Sequence, residues 1–228
     1  MSPKSGEGPS NLRGRRAFLG ELATGVAAGG ALALGGTAAL PDVLSAATRR
    51  SAPDAEHWLD GLKGKHKQLV DAFNVNEGWP LGFAHTFLAT HDASDPAGAV
   101  IVLRHFAMPI GVQDAIWSRY KIGESFRITD PATSQPAVKN PFFKPKTGVL
   151  LSDDMAIDRL IAAGAIVGVC GIALAVLSGK LAKNAGVTAE AAKKEWTEGL
   201  IPGVAVLPSG TWGVNRAQEH GCTYCSGG

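Results

Sequence analysis

The sequence predicts an α/β sandwich built on a mostly parallel sheet of about five strands. Short apolar runs alternate with segments of helical spacing along the chain, which is the order of a βαβ protein. The run Ala99-Val100-Ile101-Val102-Leu103 is apolar throughout, as a strand buried on both faces should be. Apolar residues make up 45% of the chain, enough for a proper core.

The elements follow in order. Gln68 to Phe73 reads as a strand and Asn74 to Gly78 as a turn. Trp79 to Thr90 reads as a helix, with Pro80 in its tolerant first turn and Leu81, Ala84, Phe87 and Leu88 at helical spacing. Ala99 to His105 is the second strand, and Gln113 to Tyr120 a short helix. Residues 121–152 hold Pro131, Pro136, Pro141 and Pro145, which break regular elements. This stretch is expected to be an ordered flap that packs through Phe126, Ile128, Val138, Phe142 and Phe143. Asp153 or Asp154 should cap a helix through Ala163. Ile166 to Cys170 is the third strand, and Ile172 to Asn184 a helix stopped at Gly186. Thr188 caps a helix from Ala189 to Gly199. Val204 to Pro208 is the fourth strand, Thr211 to Glu219 a helix, and His220 to Cys225 a short last strand. Leu160 to Gly179 runs 20 positions without a charge, the length of a membrane span, but Gly164, Gly168 and Gly171 fall where helix–strand–helix breaks belong.

The first 47 residues read as an export signal, separate from the fold. Lys4, Arg13, Arg15 and Arg16 form a basic start. Phe18 to Leu40 is weakly apolar and rich in Ala and Gly, and Leu44-Ser45-Ala46-Ala47 offers small residues to a signal peptidase. Arg15-Arg16-Ala17-Phe18-Leu19 resembles the twin-arginine motif read by the Tat translocase, which carries proteins already folded. The resemblance implies a periplasmic or other extracytoplasmic location. If residues 18–40 are not cleaved off, they become a membrane anchor. Residues 48–65 read as a linker and 66–228 as one domain. Of the 22 Lys/Arg and 20 Asp/Glu, four and three lie in the signal, leaving 18 and 17. That near-neutral balance argues against a nucleic-acid partner, which requires a concentrated basic face.

The C-terminal third carries an ordered set of motifs: Gly168-Val169-Cys170-Gly171, then Gly199-Leu200-Ile201-Pro202-Gly203-Val204, then Pro208-Ser209-Gly210, then Ala217-Gln218-Glu219-His220-Gly221-Cys222-Thr223-Tyr224. Together they resemble the DsrE/DsrF-like family, closely over 160–224 and more loosely over 66–119. The resemblance implies a three-layer α/β/α fold, homo- or hetero-oligomers, and sulfur traffic in which a cysteine holds sulfur as a persulfide. Cys170 matches the position of the recurrent cysteine. The family often has an Asn-Thr-Leu-like run shortly after it, where this chain has Ile172-Ala173-Leu174.

The chemistry-bearing residues admit more than one reading each. Cys170 stands where a strand hands over to a helix, the end of a parallel sheet where ligands bind and where a helix N-terminus favours a nucleophilic thiolate. The same position suits a buried structural cysteine. Arg104 and His105 end the second strand on the same edge and suit an anion or thiolate, or simply a polar strand end. Cys222-Thr223-Tyr224-Cys225 is a C-x-x-C pair. In a flat strand positions i and i+3 lie about 10 Å apart on opposite faces. A disulfide needs Cα atoms within about 7 Å, so this pair closes only if the chain turns there. An oxidising compartment favours closure. A metal or cluster pair joined by His220, and free auxiliary thiols, are the other readings. Three function classes therefore stand: a thiol-based sulfur carrier or redox protein centred on Cys170, a ligand-binding or assembly subunit, and a small metal or cluster protein. No phosphate loop, zinc-protease motif or serine nucleophile elbow is present.

Overall fold

The structure, a computed structural model, describes residues 53–228. The signal-like segment 1–47 lies outside the described residues. Five strands form one all-parallel sheet: β1 (His66–Ala72), β2 (Ala97–Leu103), β3 (Ile166–Cys170), β4 (Val204–Leu207) and β5 (Thr223–Ser226), in the order β4-β3-β2-β1-β5. The helices are α1 (Pro53–Glu56), α2 (Trp79–Ala89), α3 (Asp114–Tyr120), α4 (Ile122–Phe126), α5 (Ile157–Ala162), α6 (Gly171–Ala185), α7 (Ala189–Glu198) and α8 (Gly210–Glu219). Among the described residues, no helix is long and apolar enough to cross a membrane, and the uncharged run 160–179 divides into α5, β3 and α6 as its glycines predict.

Strand order dictates the layers. From β1 to β4 each step moves the same way across the sheet. Right-handed crossovers then put every intervening helix on one face. Val70, Ile101, Leu103, Val167 and Val169 point into that face and meet Leu81, Trp117, Leu160, Leu174 and Trp196. The last connection runs back from β4 past the whole sheet to β5, so α8 lands on the other face. There Leu69, Val100, Val102 and Leu207 pack with Ala217 and Cys222. Alternate residues of β2 thus serve two cores, which is why the strand is apolar throughout.

The linker expected over 48–65 is corrected for its described part, 53–65, which packs onto the domain. Ala55, Leu59 and Leu62 are buried, and Trp58, Leu59 and Leu62 close the second face beside α8. Their i, i+4, i+7 spacing is a helical stripe that starts in α1 and gives way to turns after Glu56, with Gly61 between Leu59 and Leu62. A 3-10 stretch, His105–Gly111, follows β2 where no element was expected. The expected helix from Asp153 begins instead as a 3-10 turn, Asp153–Met155, capped by Ser152, whose side chain accepts from the Asp154 N–H. Gly186, at φ 68°, ends α6 in the left-handed conformation expected of it.

The flap over 121–152 is ordered and packed. Phe142 is buried, Phe126, Ile128 and Phe143 pack against the first core, and Val138 stays 63% exposed. Its principal anchor is Asn140, which is fully enclosed. The Asn140 side-chain amide donates to the Ile110 and Val112 carbonyls at 2.9 and 2.8 Å, and its side-chain oxygen accepts from the Phe142 N–H at 3.0 Å.

Candidate functional site

Adjacent strands β3 and β4 send their outgoing loops to opposite faces of the sheet: β3 turns directly into α6 on the first face, and β4 turns through Pro208-Ser209 into α8 on the second. Such a switch point opens a crevice beyond the carboxyl ends of the strands. A cavity of about 240 Å³ occupies it, lined by Cys170, Arg104, His105, Lys180, Ser209 and Gly210, among others.

Cys170 is the last residue of β3 and the N-cap of α6. Its Sγ accepts from the Ala173 N–H at 3.3 Å. The residue is 7% exposed, yet it lines the crevice. Fifteen residues of α6 lie behind it, so the positive end of that helix meets the sulfur. The N-terminus of the ten-residue α8 faces the same crevice, with Ser209 as its cap accepting from the Trp212 N–H at 3.1 Å.

Arg104 supplies the fixed charge. Its Nε and Nη2 donate to the two carboxylate oxygens of Asp71 at 2.6 and 2.8 Å, and the guanidinium lies over the Phe73 ring, 4.9 Å from its centre. Asp71 is 4% exposed and also accepts from the Tyr224 hydroxyl at 3.0 Å. This carboxylate raises the pKa of Arg104, so the guanidinium is permanently charged, and Arg104 and Cys170 line the same cavity. Asp71 raises the Tyr224 pKa as well, by holding the phenol proton in a hydrogen bond. His105 takes a left-handed φ of 49° and stacks on Phe73 at 4.3 Å, with Phe106 edge-on at 5.2 Å. A non-glycine residue held there is strained and is kept so by its surroundings.

Of the residues singled out from sequence, Cys170, Arg104 and His105 are therefore brought together. The C-x-x-C pair is not. Cys222 is buried in the second core, whereas Cys225 packs against the first. The two sulfurs lie on opposite faces of the sheet, and all three cysteines are free thiols, so the disulfide expectation is not met. Parallel pairing of Leu69 with Tyr224 and of Val70 with Cys225 keeps this segment flat, which removes the turn that closure requires. Burial also pushes the Cys222 thiol pKa up. His220 ends α8 at the surface, and the three residues do not form a ligand cluster among the described residues. Asp71 and Tyr224 were missed. Their signal is a carboxylate inside an apolar strand, which needs a partner, next to a strand ending in arginine.

A second, larger cavity of about 920 Å³ lies between the β1–α2 turn and the flap. Trp79, Phe126, Ile128 and Leu151 give it an apolar lining, and Asn76 and Glu77 on its rim hold left-handed φ angles of 42° and 53°. Phe106 lines both cavities.

No protein-family model, curated protein or solved structure matches the chain.

Proposed function

We propose that this protein is a thiol-based sulfur carrier in which Cys170 accepts sulfur from a small anionic donor bound in the switch-point crevice. The observation that carries the reading is the convergence on one small cavity of Cys170, the Arg104 side chain and the N-termini of α6 and α8. A persulfide or polysulfide is anionic and polarisable, and this arrangement offers it the positive ends of two helices beside an arginine that Asp71 holds in place. The ordered motifs that resemble the DsrE/DsrF-like family support the same role, and the twin-arginine-like start supports its exercise outside the cytoplasm.

The chemistry is an exchange at sulfur. The Cys170 thiolate attacks the outer sulfur of a donor persulfide, R–S–SH. A new S–S bond forms, the donor's S–S bond breaks, and the donor leaves as the thiolate RS⁻. Cys170 now holds the –SSH group, and no net oxidation has occurred. Arg104 and the two helix ends stabilise the negative charge as it passes from one sulfur to the other.

Differential alkylation tests the reading. In the native full-length chain a small alkylating reagent should label Cys170 faster than Cys222, which is buried with its thiol pKa raised. A Cys170 that resists labelling until the protein is unfolded contradicts the proposal.

The 920 Å³ groove favours a second reading, non-covalent binding of an apolar ligand, because its size and lining suit a small molecule. Under that reading Phe106→Ala weakens binding of a fluorescent apolar probe while Cys170→Ser leaves it unchanged.

A further inference from the structure

At the opposite end of the sheet from the crevice, three residues from separate elements meet. His66 is the first residue of β1, His91 follows α2, and Asp95 lies in the turn before β2. One ligand atom from each lies within 4.8 Å of the others. We propose that His66, His91 and Asp95 bind a divalent ion of the zinc class, with a fourth position open to water.

The donor set and its support fit such an ion. Two imidazoles and a carboxylate are the ligands of many three-residue zinc sites, with bonds of roughly 2.0–2.2 Å. His91 Nδ1 lies 2.8 Å from the Phe87 carbonyl, which only accepts, so Nδ1 carries the proton and Nε2 keeps its lone pair for a metal. A backbone carbonyl behind a ligand histidine is the usual second partner in such sites. The Phe87 ring, 4.8 Å away, further holds the imidazole in place. The two histidine rings are 5.0 Å apart, and His66 Nε2 lies 2.9 Å from Asp95 Oδ1, so an ion entering between them replaces a shared proton. Asp92 Oδ1 accepts from the backbone N–H groups of Ser94 and Asp95, which braces the turn that presents Asp95. Lys65 is a competing positive charge, its Nζ in contact with Asp95 Oδ1 at 3.0 Å. Its side chain is 72% exposed and is free to swing into water when an ion takes its place. An ion here would tie the end of α2 to the starts of β1 and β2, and its free position could hold an exchangeable ligand.

Cobalt(II) titration of the full-length protein separates this site from the thiols. The expected result is one ion per chain, with the visible bands of a nitrogen–oxygen site and no thiolate-to-metal charge-transfer band. His66→Ala and His91→Ala should each lower affinity at least tenfold, and Lys65→Ala should raise it. Should a histidine variant fail to fold, Asp95→Asn, with its half-exposed side chain, serves for the same comparison. Absence of binding, a thiolate charge-transfer band, or affinity unchanged in the ligand variants overturns the proposal.

Discussion

Arg104 and Asp71 form a two-pronged ion pair across the carboxyl ends of β1 and β2, with Nε–Oδ1 at 2.6 Å and Nη2–Oδ2 at 2.8 Å. The pair fixes where the guanidinium stands relative to Cys170. Asp71→Asn keeps the shape and removes the charge, leaving a part-buried guanidinium without its counter-ion. Equilibrium urea unfolding should show a loss of roughly 2–4 kcal/mol. Tyr224→Phe removes only one hydrogen bond to the same carboxylate and should cost about 1 kcal/mol.

Gly210 gives Arg104 its room. A Cβ at this position would stand 2.5 Å from Arg104 Cβ and 2.9 Å from its Cδ. The first of these atoms is tied to the backbone, so a small rotation of the arginine does not relieve the clash. Gly210→Ala should destabilise by about 1–3 kcal/mol. It should also slow Cys170 alkylation as the crevice distorts, while Gly186→Asn at the far end of α6 leaves the labelling rate unchanged.

Tyr120 links stability to alkaline pH. Burial, followed by its 2.7 Å hydrogen bond to Glu195, pushes its pKa up from about 10 to about 12. The proton is held more tightly in the folded state than in the unfolded chain. The stabilisation is therefore fully present below pH 10 and is lost as pH rises through 12. Unfolding free energies measured across that window should fall in the wild type and fall less steeply in Tyr120→Phe.

The flap hangs on Asn140. Asn140→Ala leaves the Ile110 and Val112 carbonyls and the Phe142 N–H without their partners. A loss of about 2–3 kcal/mol is expected. Limited proteolysis should cut within 121–152 sooner than in the wild type, and binding of an apolar probe in the groove should weaken.

The sheet was legible because period and length agree in its elements: β2 and β3 are too short and too apolar for surface helices, and Thr188 and Gly186 mark helix ends by their own chemistry. Cys170, Arg104 and His105 were legible for the same reason, since Cys170 ends β3 and Arg104 and His105 come directly after β2. The rest depended on contacts distant in sequence. Asp71 acquires its role only when β1 pairs with β2, and Tyr224 only when the chain returns from β4 to β5. An oxidising compartment favours a closed C-x-x-C pair only where the chain turns, and the flat pairing of β5 sends its sulfurs to opposite faces instead. The stripe of Ala55, Leu59 and Leu62 was misread because nearby glycines and charges resemble a linker. His66, His91 and Asp95 are spread over 30 positions, with no short motif to join them.

The proposed sulfur carrier role requires Cys170 to take up sulfur in the switch-point crevice. Its most direct test is to treat the native full-length protein with a persulfide donor and map the added mass by peptide sequencing. The expected result is the mass of one extra sulfur atom on Cys170, absent in Cys170→Ser and reduced in Arg104→Gln. Extra sulfur found only on Cys222 or Cys225, or none on Cys170 while the protein remains folded, would contradict it.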